Sequence, residues 1–152
     1  MACGRGTVRG PAEASYPGPL FGPTIEGLPV AVQSAYSEAR NCLSVNAHTA
    51  AEMVCRKILM HIAADKGADE GKSFAYYIDF LQAQGYITPP MKDWVVLIKE
   101  HGNKANHRLD APDKEQAEGT LQFTAQLLRS VYEMGHIAGR FAKPRQQSPS
   151  AP

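Results

Sequence analysis

The side chains of this chain that could do chemistry gather most densely in the run His101-Gly102-Asn103-Lys104-Ala105-Asn106-His107. Asn103 and His107 are four positions apart, so on a helix both project from one face. An imidazole beside an amide can act as general acid or base on a phosphodiester, because it exchanges its proton near neutral pH. The same pair can instead hydrogen-bond to a helix end and fix the connector that follows. Lys99, Lys104 and Arg108 surround the pair with positive charge, and Arg56 is a further cation earlier in the chain. These are the candidate catalytic residues (His107, Asn103) and the candidate binding residues (Lys99, Lys104, Arg108, Arg56).

Other chemistries find less support. Gly71-Lys72-Ser73 carries the last three letters of a phosphate-binding loop, but no Gly lies five residues before Gly71 and no strand precedes it. It reads as a helix start. None of His48, His61, His101, His107 and His136 makes a His-Glu-x-x-His pair. Cys3-Gly4 looks like the second half of a zinc knuckle, yet a structural zinc site takes four ligands and only one Cys stands here. No metal and no cofactor is expected. Cys42 and Cys55 sit on apolar helix faces, where a free thiol behaves as a small hydrophobe.

The elements that must hold this chemistry are helical. Met91, Trp94, Val95, Ile98, Gly102 and Ala105 recur at helical spacing and predict one buried stripe on a helix from about Pro90 to Asn106. Upstream, Pro29 opens a helix carrying Ala31, Ala35, Ala39, Cys42 and Leu43, which Asn46 ends or follows as the cap of the next. Ala51, Val54, Cys55, Ile58, Leu59 and Ile62 predict a second helix to Asp65, stopped at Lys66-Gly67. A shorter helix from Ser73 to Gln84 buries Phe74, Tyr77, Ile78 and Leu81. The last helix begins at Pro112 or Asp113 and runs to about Phe141. Ala117, Leu121, Thr124, Leu128, Val131, Gly135 and Ala138 form its stripe, widened by Phe123, Leu127 and Met134.

With short connections, this order predicts an all-α, up-and-down bundle of about five helices. Residues 1–28 are a Gly/Pro-rich extended arm, 29–142 the bundle, and 143–152 a disordered tail. The wide apolar stripe of the last helix exceeds what one bundle face needs, so a homodimer through it or through the fourth helix is expected. Sixteen basic against fifteen acidic residues give a net charge of +1, which lacks the footprint of a dedicated nucleic-acid binder. Three widely spaced cysteines, no signal-like leader and no long apolar run point to a reducing, cytoplasmic setting without a membrane.

The order of signals resembles the domain-of-unknown-function 4145 family of the HEPN superfamily. The resemblance rests on Tyr16-Pro17, Leu28-Pro29, Tyr36-Ser37-Glu38-Ala39-Arg40, Arg56-Lys57-Ile58-Leu59, Gly85-Tyr86-Ile87 and, most specifically, Ile98 to His107. It covers residues from about 14 to 135. HEPN domains are helical bundles that often dimerise, and many are metal-independent ribonucleases acting in defence or toxin–antitoxin systems. Their motif is an Arg, usually followed by a polar residue, with His four to six residues on. By this resemblance His107 and Asn103 are the motif's His and polar residue, while Gly102 occupies the Arg slot. Loss of a guanidinium that would stabilise the scissile phosphate commonly costs a factor of about 100 or more in rate. The resemblance therefore implies a dimerising module with a degenerate motif, binding RNA, nucleotide or a protein partner. The alternative is a ribonuclease in which His107 works with a cation supplied from elsewhere, Lys99 or Arg56.

Overall fold

The computed structural model describes residues 8–9, 15–105 and 109–142; side chains are described from 16 to 101 and from 109 to 142. His107, Arg108, Cys3 and the tail 143–152 lie outside the described residues. Asn103 and Lys104 are placed only as backbone positions of a helix.

Five main helices build the fold, and their ends follow from local chemistry. Helix α1 (Val30–Ser44) starts on Pro29, whose carbonyl accepts the Gln33 N–H at 2.8 Å. Asn46 ends it in the left-handed region, at φ +58°, where an Asn is tolerated better than other side chains with a Cβ. Helix α2 (His48–Asp65) stops at Gly67, φ +103°, as Lys66-Gly67 predicts. Helix α3 (Phe74–Ala83) is capped by the Ser73 hydroxyl, which accepts the Tyr76 N–H at 3.2 Å. Gly71-Lys72-Ser73 is thus a helix start. A 3-10 turn, Pro89–Met91, feeds α4 (Lys92–Ala105). Helix α5 (Lys114–Leu128) opens on a reciprocal cap: Asp113 accepts the Gln116 N–H at 2.8 Å, and the Gln116 side chain accepts the Asp113 N–H at 3.2 Å.

α2 is the hub. It packs on α1, α3 and α5, while α4 rests on α3 and touches α5 along one edge. The core is continuous, with Tyr36, Ala39, Cys55, Leu59, Ile62, Ile78, Leu81, Leu121, Phe123, Leu127 and Leu128 all buried. Extended chain from Gly18 to Leu28 straps across α1. Arg40 donates to the carbonyls of Phe21 and Gly22 at 2.8 and 2.9 Å, and the Tyr36 hydroxyl donates to the Pro23 carbonyl at 2.7 Å. A two-residue antiparallel pair, Val8–Arg9 with Ser15–Tyr16, is the only β structure among the described residues.

Two expectations are corrected. The last helix is not uniform: a π-helical turn, Arg129–Glu133, joins α5 to α6 (Met134–Phe141). One extra residue in that turn advances the helical phase by a position. Gly135, Ala138 and Met134, which continue the α-periodic stripe, are therefore exposed, and Glu133, His136 and Arg140 face the strap instead. There the Glu26 N–H donates to Glu133 at 2.9 Å, Arg140 pairs with Glu26 at 2.8 Å, and Gly27 packs on His136 so tightly that a Cβ would sit 2.5 Å from it. The second correction is on α4. Met91, Val95 and Ile98 are buried as the stripe predicts, but Trp94 is 40% exposed, because α4 meets α5 at an edge and not across a full face.

Candidate functional site

α4 carries two different polar sides. One side faces α3. Lys99 forms an ion pair with Asp79 there, and Asn103 occupies the helix position one turn further on. Arg56, reaching from α2, lies 4.7 Å over the Phe74 ring at the start of α3, with its Nε buried and lacking a hydrogen-bond partner among the described residues. Two of the six residues singled out in the sequence, Lys99 and Arg56, thus have their charge engaged against α3. His107 and Arg108 lie outside the described residues.

The other side of α4 opens a cleft of about 420 Å³ against α5. From α4 come Trp94, Leu97, Ile98 and His101; from the α5 side come Asp113, Glu115, Gln116, Gly119 and Thr120. The helical spacing explains the first set, since 94, 97, 98 and 101 follow the i, i+3, i+4, i+7 pattern. Trp94 leans on the buried Phe123 ring with centroids 6.3 Å apart, which props the indole upright as one wall. Gly119 forms part of the opposite wall, and a Cβ there would meet nothing within 4 Å. Packing therefore does not require this glycine. Its effect is to leave the cleft wide.

Beneath the cleft lies a carboxylate that α2 sends into the core. Glu52 is 5% exposed, and its Oε1 is 3.3 Å from the Thr120 hydroxyl and 3.9 Å from His101 Nδ1. The second distance is too long for a hydrogen bond, and Nδ1 is buried without a partner among the described residues. Thr120 has a single proton to donate, and the Gln116 carbonyl at 3.1 Å competes for it. Glu52 is thus a buried carboxylate with far fewer partners than its lone pairs can take. One helical turn further on, Cys55 is also buried. Burial pushes its thiol up to about 12, the Thr124 hydroxyl opposes that shift, and the Glu52 charge adds to it. Cys55 stays a thiol and is no nucleophile.

The charge of the cleft is one-sided. Asp113 and Glu115 line it and Glu52 lies beneath its floor, while no Lys or Arg is among its lining residues that are described. Lys114, between the two rim acids, pairs with Glu118 at 3.8 Å. Carboxylates, an imidazole, an amide, a hydroxyl, an indole and aliphatic side chains are the groups on offer. Among the described residues, no three His, Cys, Asp or Glu side chains converge to hold a metal ion.

Glu52 and Gly119 were not evident from the sequence, though each left a signal. Glu52 is three positions before Cys55 and seven before Leu59, so it is a carboxylate on an otherwise apolar helical stripe. Gly119 is a helix-breaking residue inside a well-capped helix.

Architecture and cleft together define a small α-helical domain with an open cleft between its fourth and fifth helices. The family model described as Domain of unknown function (DUF4145) matches residues 37–145, and the chain belongs to that family. No curated protein and no solved structure matches the chain. Among the described residues, no helix is long and apolar enough to cross a membrane.

Proposed function

We propose that this chain is a HEPN-like accessory module that dimerises and binds a protein partner, without ribonuclease activity of its own. The observation that carries the reading is the charge of the α4–α5 cleft. A phosphate backbone entering it would meet Asp113, Glu115 and the field of Glu52, with no Lys or Arg among the described lining residues to neutralise it. Engagement of Lys99 by Asp79 and of Arg56 by Phe74 supports the same conclusion, because these are the cations a ribonuclease would recruit in place of the missing motif Arg. Gly102 in that slot removes the group that would stabilise the scissile phosphate.

Dimerisation is supported by α6. Past the π-helical turn, Met134, Ile137, Ala138 and Phe141 recur at i, i+3, i+4 and i+7, and Met134 and Phe141 are 64% and 80% exposed. Such a stripe on a surface helix suits self-association.

Incubation of the purified protein and a His107→Ala variant with single-stranded and structured RNA tests the catalytic half of the reading. No cleavage by either is expected. Cleavage by the wild type that His107→Ala abolishes would establish the ribonuclease alternative. Sedimentation tests the other half: a dimer at micromolar concentration is expected, and Met134→Glu with Phe141→Glu converts it to monomer.

A further inference from the structure

The α4–α5 cleft does not end at Trp94. On the far side of the indole a second groove continues along the same seam, lined by Thr88, Pro90, Met91, Gln122 and Gln126. Trp94 therefore divides one long furrow into two compartments. The compartment beside His101 is acidic at its rim and underlain by Glu52. Among the described residues that line it, the compartment beside Met91 carries no charged side chain. α4 has 14 residues and so is about 21 Å long, enough to seat a short peptide.

We infer that this furrow is a docking groove for a peptide segment of a partner protein in which an Arg or Lys stands next to a large aliphatic residue. The basic side chain enters the His101 compartment. Its aliphatic stem lies along Leu97 and Ile98, and its charged head meets Asp113 and Glu115 over the buried Glu52 carboxylate. Trp94 offers its ring face to the cation, an attraction that grows as water is excluded. The neighbouring aliphatic side chain fills the uncharged compartment on the other side of the indole.

Three independent features favour this occupant. Charge is complementary to a cation and unfavourable to a phosphate or an acidic peptide. Among the described residues His101 Nδ1 is buried without a hydrogen-bond partner, and the Glu52 carboxylate beside it accepts from the Thr120 hydroxyl alone, so the floor keeps acceptor capacity for a donor. Gly119 holds one wall open although a Cβ there would meet nothing within 4 Å among the described residues. This inference rests on the protein-binding reading above and narrows it to a peptide class.

Trp94 is the only tryptophan of the chain, so its fluorescence reports on the groove directly. The probes are three: the blocked peptide acetyl-Leu-Arg-Leu-Arg-Leu-amide, its counterpart with Glu in place of Arg, and a single-stranded oligouridine. The Arg peptide is expected to shift Trp94 emission to the blue with saturation, and the Glu peptide to leave it unchanged. Gly119→Phe, whose Cβ has no neighbour within 4 Å and whose ring would occupy the cleft, should abolish the response, and Glu115→Lys should weaken it about tenfold. Circular dichroism confirms that both variants are folded. Equal responses to the Arg and Glu peptides, no response to either, or an undiminished response in Gly119→Phe would overturn the inference. Saturable binding of oligouridine at Trp94 would overturn it too and would favour a nucleic-acid site. The protein-binding reading fails separately, on RNA cleavage dependent on His107.

Discussion

Replacing Glu52 by methionine separates a carboxylate kept for binding from one kept for the fold. Glu52 is 5% exposed, yet its contacts among the described residues are a 3.3 Å approach to the Thr120 hydroxyl and a 3.9 Å approach to His101. A carboxylate offers about four acceptor sites, more than these contacts fill. After its removal Thr120 keeps the Gln116 carbonyl at 3.1 Å. Exchange of poorly satisfied buried ionic groups for apolar ones of similar volume is often neutral or stabilising by about 1–4 kcal/mol. Here, with one group exchanged and an unbranched thioether that adapts to the space, about 0–2 kcal/mol of stabilisation is expected. For a chain of this size each kcal/mol moves the melting temperature by about 2–4 °C. Thermal unfolding by circular dichroism should therefore show a rise of about 0–8 °C for Glu52→Met, with Glu52→Gln close to wild type. A fall of more than about 5 °C would refute the reasoning, because it would make Glu52 a structural pin and remove it from the binding account.

Further outcomes follow from the same geometry. Gly119→Ala should raise stability by about 1 kcal/mol, read as a melting-temperature increase, because α5 gains helix propensity where a Cβ meets no neighbour. Phe123→Ala should cost about 3–5 kcal/mol in urea titration, since its ring is fully buried and also supports Trp94. Burial raises Cys55 from 9.0 to about 12 and Tyr36 from 10.0 to about 12. Both groups ionise at lower pH in the unfolded chain. Stability is therefore fully present below about pH 9 and falls as pH rises from there towards about 12. Denaturant midpoints measured across that range check the sign, and Cys55 should resist thiol reagents at pH 8 until the protein is unfolded.

Helix positions were legible in the sequence because their ends are chemical. Pro29, Asn46, Gly67, Ser73 and Asp113 each start or stop a helix through a φ preference or a side-chain hydrogen bond, and such signals act within a few residues. The face presented by α6 was not legible. A π-helical turn inserts one residue without a distinctive composition, and every position beyond it rotates away from the extrapolated stripe. Trp94 failed for a different reason: hydrophobicity and spacing place it on α4's inner face, but how far α5 covers that face is a tertiary property. The Asn103–His107 run attracted attention by composition, yet it says nothing of Glu52, whose partners His101 and Thr120 come from helices remote in the chain. A carboxylate on an apolar stripe shows in sequence that something must meet it. Only the packing shows that the partners are few and that a cleft lies above.

The most direct test of the account is an amide NMR titration of isotope-labelled protein with acetyl-Leu-Arg-Leu-Arg-Leu-amide, alongside oligouridine. The account predicts peptide-dependent shifts concentrated at the Trp94 indole, His101, Glu115, Gly119 and Thr120, with α1 and the strap unaffected and oligouridine leaving this group still. Shifts from oligouridine centred on Lys99, Asn103 and His107, with the α4–α5 cleft silent to peptide, would contradict it.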